Sequence, residues 1–296
     1  MSDLDLITIS SGAMTARLNP HGAELWSLTD AQGREFMTSA APGYWTGHAP
    51  LLFPIVGSLN ENRYRIRGRE YALPRHGFAR RSRFEVTIAE AERVMFSLKA
   101  TPETLEVYPF EFELNVNYRL IGKKLTVGVG VRNCGQVPMP FSFGFHPAFA
   151  WPLPGGADKA DHVVAFAEDE PQQIRRLDRE TGLVLPDKQP SPVKGHSFVP
   201  RQDMFEADAM IWDSLSSRCV TFGAPGGSQV VVKFPSFPML GIWQDPGADF
   251  LCIEPWQGIA DPVGYKGEFR DKPGVVEVPA GETEFLEMHI AILAAD

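Results

Sequence analysis

Three short stretches of this chain carry polar side chains able to move protons, each set among residues that would bury them. The first is FSFGFHPAFAWPLP, Phe141 to Pro154, where His146 stands alone among apolar and aromatic residues, Gly and Pro. A strand entering at Phe141 buries large rings, Gly144 lets another group approach the backbone closely, and Pro147 interrupts pairing just after the histidine. His146 is thereby expected at a strand end, in an apolar wall, with a fixed ring. An imidazole so placed suits proton transfer, because small shifts from its ordinary pKa of about 6.5 cross neutrality. The second stretch is CIEPWQGIAD, Cys252 to Asp261, in which Glu254 ends an apolar strand, pinned by Pro255 and beside Trp256. Desolvation next to an indole raises a carboxyl's pKa, which suits a general base or acid. The third is LPRHGFAR, Leu73 to Arg80, where His76 precedes Gly77 between Arg75 and Arg80. It reads as a second polar group at the mouth of a site. Each stretch also has a plainer reading: a buried histidine bonded to backbone, a strand-end glutamate in a surface ion pair, and an exposed histidine in a solvated turn.

One carboxylate and two histidines at strand breaks compose a proton-transfer site. Two His and one Glu from distant strands could also form a facial metal site, but HxH and HExxH are absent and no Cys lies near a His at ligand spacing. No metal is expected. The absence of GxSxG, GxGxxG and GxxxxGK[ST] leaves a nucleophilic elbow and nucleotide binding without support. Aromatic residues gather near the three stretches: Phe145, Phe149, Trp151, Trp243 and Trp256. Most read as core, with one or two free to stack on the apolar face of a sugar.

The elements that must position these groups are strands. Period-two alternation predicts them over 4–9, 14–18, 23–28, 84–88, 94–98, 110–120, 124–132, 163–167, 210–212, 219–222, 229–234, 240–243, 250–253, 275–278 and 283–293. Ser11-Gly12 and Arg67-Gly68 read as hairpin turns. No amphipathic helix is evident, beyond single turns over 103–108 and 201–207. The Pro-rich stretch 186–200 reads as a long loop. With 25 prolines and 27 glycines spread along 296 residues, the pattern is that of an all-β sandwich, read as one domain over 1–296.

A net charge of −9 argues against a nucleic-acid or membrane-surface role. Cys134, Cys219 and Cys252 form neither a disulfide framework nor a CxxC pair, and each reads as a small buried hydrophobe. The first residues lack a secretory pattern, and no apolar run is long enough to span a bilayer. A soluble, cytoplasmic protein is the expectation, as monomer or homodimer.

HGFAR, FHPAF, IW and CIEPWQGIAD, in this order and spacing, together with APLLFPIVG (49–57) and the aspartate-led strand Asp208 to Trp212, resemble the aldose 1-epimerase (mutarotase) family, above all its bacterial LacX-type branch. The resemblance runs from about Gly22 to Leu293. It implies a large β-sandwich (supersandwich) of the galactose mutarotase type, with few or no helices and an open sugar cleft. It implies interconversion of α and β anomers of a free aldose, with no cofactor and no metal. Glu254 matches the general base, His146 the general acid, His76 a histidine that bonds the sugar near its ring oxygen, and Asp208 a carboxylate that binds hydroxyls. The chain departs from the pattern after APLLFPIVG, where the family commonly has an arginine and this chain has Ser58. Arg63 and Arg80 are the candidates to replace it. Two alternatives remain open. One is a hexose-6-phosphate mutarotase, with Arg75, Arg80, Arg81 and Arg83 as a phosphate cluster or, more plainly, a salt-bridged face. The other is a non-catalytic sugar-binding or regulatory protein on the same fold.

Overall fold

The computed structural model describes residues 5–293; Leu4, the start of the first expected strand, lies outside them. The architecture is nearly all β, and among the described residues Pro102–Val107 is the single α-helix. It is capped by Thr101, whose hydroxyl accepts the Thr104 N–H.

The longest strands show why the chain folds this way. In Phe112–Ile121 the side chains of Phe112, Leu114, Val116, Tyr118 and Leu120 are buried while their neighbours are not, so one face of the pleat seals a core. Lys124–Asn133 follows after a tight turn and pairs with it residue for residue, and Thr283–Leu293 pairs on its other side. These three form the centre of a nine-stranded sheet. A three-stranded sheet, Ile7–Ser10, Met14–Asn19 and Glu24–Asp30, packs on it, and the Tyr118 hydroxyl donates to the Ala23 carbonyl at 2.7 Å.

A second large sheet of six strands runs Met210–Trp212, Met239–Trp243, Phe250–Gln257, Phe143–Phe145 and Leu51–Leu52, with Ala148–Ala150 rejoining Phe250–Gln257. Its central strand is buried from Phe250 to Trp256. Leu240, Ile242, Leu251 and Ile253 share one apolar core with Val127, Val129, Met288 and Ile290 of the nine-stranded sheet. Each such side chain contributes about 1.5–3 kcal/mol by leaving water. The opposite face of the six-stranded sheet floors a cleft.

Two expectations need correction. Cys252 is buried, but Cys219 is half-buried and Cys134 exposed, because both lie where a strand meets a turn rather than in the core. The stretch 186–200 is mostly loop, yet it contains the short strand Ser197–Phe198, which extends the edge of the nine-stranded sheet.

Candidate active site

The floor of the cleft follows from alternation along Phe250–Gln257. Leu251 and Ile253 point to the core, so Cys252, Glu254 and Trp256 share the other face. Opposite them in the neighbouring strand stand Trp243, Gly241 and Met239. A Cβ on Gly241 would lie 2.5 Å from Trp256 Cη2, and one on Gly144 would lie 2.6 Å from its Cδ1. The indole therefore lies flat across two glycines, which is the close approach expected at Gly144. Gly241→Ala should displace the ring, cost about 1–3 kcal/mol by overpacking and raise KM. Urea unfolding and saturation kinetics check this; an unchanged midpoint with unchanged KM contradicts it.

Glu254 does not end its strand, as the sequence suggested. The strand runs on through Pro255 to Gln257. Proline lacks an N–H, and the ladder on one side is already broken there. Phe143–Phe145 pairs near Trp256 and Ala148–Ala150 pairs with 250–252 in the same register, so residues 146–147 lie opposite 253–254 where the regular ladder is interrupted. The two prolines mark one gap in the sheet, and His146 and Glu254 sit in it. His146 Nε2 is 3.2 Å from Glu254 Oε2, and both residues are buried.

Burial drives these two groups in opposite directions. Desolvation pushes the Glu254 carboxyl well above its usual range, with Arg75 opposing and the charge of Asp208 adding. Desolvation lowers His146 to about 3, and Arg75 and Arg80 push it the same way. Burial thus favours the neutral form of each group, with the pair's proton on Glu254 rather than on His146. Glu254 Oε2 has no well-formed hydrogen bond, and His146 Nδ1 has no partner beyond its own backbone. Buried polar atoms left this way cost about 1–3 kcal/mol each.

The walls come from distant segments. Glu24 accepts the N–H groups of His48 and Ala49 at 2.8 Å each, which fixes the entry to Leu51–Leu52. The segment that follows carries Gly57, whose N–H donates to His76 Nδ1 at 3.1 Å, while the His76 N–H donates to the Gly57 carbonyl at 2.9 Å. His76 and Asp208 both have left-handed backbone, φ 66° and 63°, strain of the kind found at functional sites. Arg75 Nε donates to His76 Nε2 at 3.2 Å, and Arg80 Nη2 to the Arg75 carbonyl at 3.0 Å. A neutral imidazole has one acceptor nitrogen, so Gly57 and Arg75 compete for it. Burial, then Arg75 and His146, keep His76 neutral.

Glu254, His146, His76, Asp208, Arg80 and Trp256 all line this one cleft of about 360 Å³, with Trp45, Arg75, Trp243 and Asp245. Arg63, a candidate to replace the arginine missing at Ser58, is elsewhere: it is exposed and paired with Glu70. Arg75 instead reaches that spot, since a Cβ on Gly182 would meet both Ser58 Oγ and Arg75 Nη1. Phe145, Phe149 and Trp151 belong to the core. Trp45 and Asp245 were missed by sequence reasoning; the HGFAR-like motifs give no signal for them. As for metals, His146, Cys252 and Glu254 bring ligand atoms within 4.8 Å of one another. Burial above all pushes the Cys252 thiol well above its usual range, and a thiol is a poor ligand compared with a thiolate.

Comparison with known proteins shows the family. The aldose 1-epimerase family model matches residues 5–275. The chromosomal LacX protein of Lactococcus lactis subsp. lactis is 34% identical, over 97% of this chain and 99% of that protein. A galactose mutarotase related enzyme from Lactobacillus acidophilus superposes with a TM-score of 0.91 at 32% identity, covering 98% of each chain. A galactose mutarotase-like protein from Lactobacillus casei ATCC 334 gives 0.90 at 28% identity, covering 97% of this chain and 100% of that one. No helix among the described residues is long and apolar enough to cross a membrane. The chain belongs to the aldose 1-epimerase family and is an isomerase.

Proposed function

We propose that the cleft interconverts the α and β anomers of a free aldohexose, with Glu254 as base and His146 as acid. The observation that carries this is the carboxyl–imidazole pair, 3.2 Å apart in the floor of the cleft, whose burial raises the proton affinity of the carboxyl and lowers that of the imidazole. Anomerisation removes a proton from the C1 hydroxyl and supplies one to the ring oxygen. Both oxygens are bonded to the same carbon, so the acid and the base must be neighbours. In the reactive form the shared proton is on His146. Glu254 takes the C1 hydroxyl proton, and the freed electron pair forms the C1 carbonyl. The bond from C1 to the ring oxygen breaks, and that oxygen takes the proton from His146. Rotation about C1–C2 and reversal of the steps close the ring on the other face and restore the pair. No redox step or cofactor is called on.

With Nδ1 accepting from Gly57 and the Arg75 contact to Nε2 given up, His76 presents its Nε2–H to a sugar oxygen. Asp208 accepts from hydroxyls, Arg80 donates to them, and Trp256 offers an apolar face. Two-dimensional exchange NMR between the α and β anomeric protons of glucose and galactose tests the reading. Protein-dependent cross-peaks support it. Saturable sugar binding without exchange would establish instead a non-catalytic sugar-binding protein.

One observation favours a second reading, an aldose carrying a phosphate. The salt-bridged face considered for the arginine cluster is not found at the cleft: among the described residues, Arg75 and Arg80 hydrogen-bond only neutral groups, and neither has a carboxylate within ion-pair distance. Arg80 is held down to about 10 by burial and by the charges of Arg81 and Arg75. On this reading kcat/KM for galactose 6-phosphate exceeds that for galactose at least about tenfold, and Arg75→Ala or Arg80→Ala abolishes the excess. Equal values for the two sugars contradict it.

A further inference from the structure

The loop before Leu51–Leu52 lays Trp45 against the acid. The indole and the His146 imidazole stack with centroids 4.7 Å apart and planes 25° from parallel. The placement is built in from both sides of the chain. The Trp45 backbone N–H donates to Asp245 Oδ2 at 2.8 Å across 200 residues, which ties the loop to the turn after Met239–Trp243. A Cβ on Gly47 would fall 2.3 Å from Trp45 Cζ2, so the ring folds back over its own loop only because residue 47 is glycine. Trp243 closes the corner, edge to face with Trp45 at 5.7 Å and with His146 at 5.8 Å.

The charged surroundings of His146 make that stack consequential. Glu254 and Cys252 face it from Phe250–Gln257. His76 stands edge-on at 5.9 Å, and Arg75 and Arg80 bear on it from the 73–81 segment. The two arginines oppose an imidazolium. Among these groups Glu254 alone favours one, and Glu254 gives up its negative charge as it accepts the sugar proton. An indole face attracts a cation whatever the protonation state of its neighbours.

We propose that Trp45 is a positioning residue for the epimerase reaction, its indole face fixing the His146 ring and stabilising it as the imidazolium that protonates the ring oxygen. The inference rests on the acid role given to His146 above. It makes kcat, rather than sugar binding, depend on the electron density of the residue-45 ring.

The test is a series at position 45 read by anomer exchange under saturating and limiting sugar. Trp45→Leu lowers kcat by about 2- to 30-fold, the range for loss of one cation–π contact, with a smaller change in KM. Trp45→Phe recovers part of the loss. Mono-, di- and trifluorotryptophan placed at residue 45 alone lower kcat stepwise, because fluorine drains the ring face without changing its packing. Wild-type kcat in Trp45→Leu, or a kcat indifferent to fluorination, overturns the proposal while leaving the epimerase reading intact. A wild-type protein that exchanges no aldose overturns both.

Discussion

Glu254→Gln is expected to lose most of the turnover and to gain stability. The amide keeps the shape and removes the base, so kcat falls on the order of 10²- to 10⁴-fold. The stability gain follows from linkage. In the folded protein burial raises the Glu254 pKa well above its ordinary value of 4.5, so above 4.5 the unfolded chain releases a proton that the folded one keeps. Folding stability then declines as pH rises from 4.5 through the folded-state pKa. Glutamine does not titrate and escapes the decline. Thermal unfolding from pH 5 to 8 should show the variant matching or exceeding wild type, with the gap widening as pH rises. A variant that is less stable throughout, or one that turns over at the wild-type rate, contradicts the assignment. The same shared proton sets the alkaline limb of activity, since rate falls once the pair has lost it.

His146→Asn should fall sharply in kcat with a modest change in KM, because its proton is used in the transition state and little in binding. Its stability effect has the opposite pH sign from that of Glu254. Burial lowers His146 from 6.5 to about 3, so between those values the unfolded chain takes up a proton that the folded one refuses. Wild type is penalised as pH falls below 6.5, and the asparagine variant is spared. Unfolding midpoints at pH 4.5 and 7.5 measure this: the difference between the two pH values should be smaller in the variant. An unchanged kcat would remove His146 from the acid role.

Much of the fold is legible in the sequence where strands are long. Phe112–Ile121, Lys124–Asn133 and Thr283–Leu293 each repeat the alternation often enough to declare themselves. Leu51–Leu52 and Ala148–Ala150 are too short to show a period, and they exist because a neighbouring strand offers them a ladder. Pro255 reads as a stop because a proline cannot donate; it is tolerated because the adjacent strand is itself interrupted at 146–147, a fact only the tertiary pairing holds. The six residues singled out beforehand converge on one cleft because their motifs carry the strand breaks that shape it. Trp45 gives no such sign. Its loop is exposed, aperiodic and rich in Pro and Gly, and its anchor Asp245 is 200 residues away.

The central claim, acid–base ring opening in this cleft, is met most directly by polarimetry. Freshly dissolved α-D-glucose and α-D-galactose are followed at low buffer concentration with wild type and Glu254→Gln side by side. The account predicts that rotation decays faster than the spontaneous rate with wild type for at least one sugar, and near the spontaneous rate with the variant. Equal acceleration by both proteins, or none by either, would contradict it.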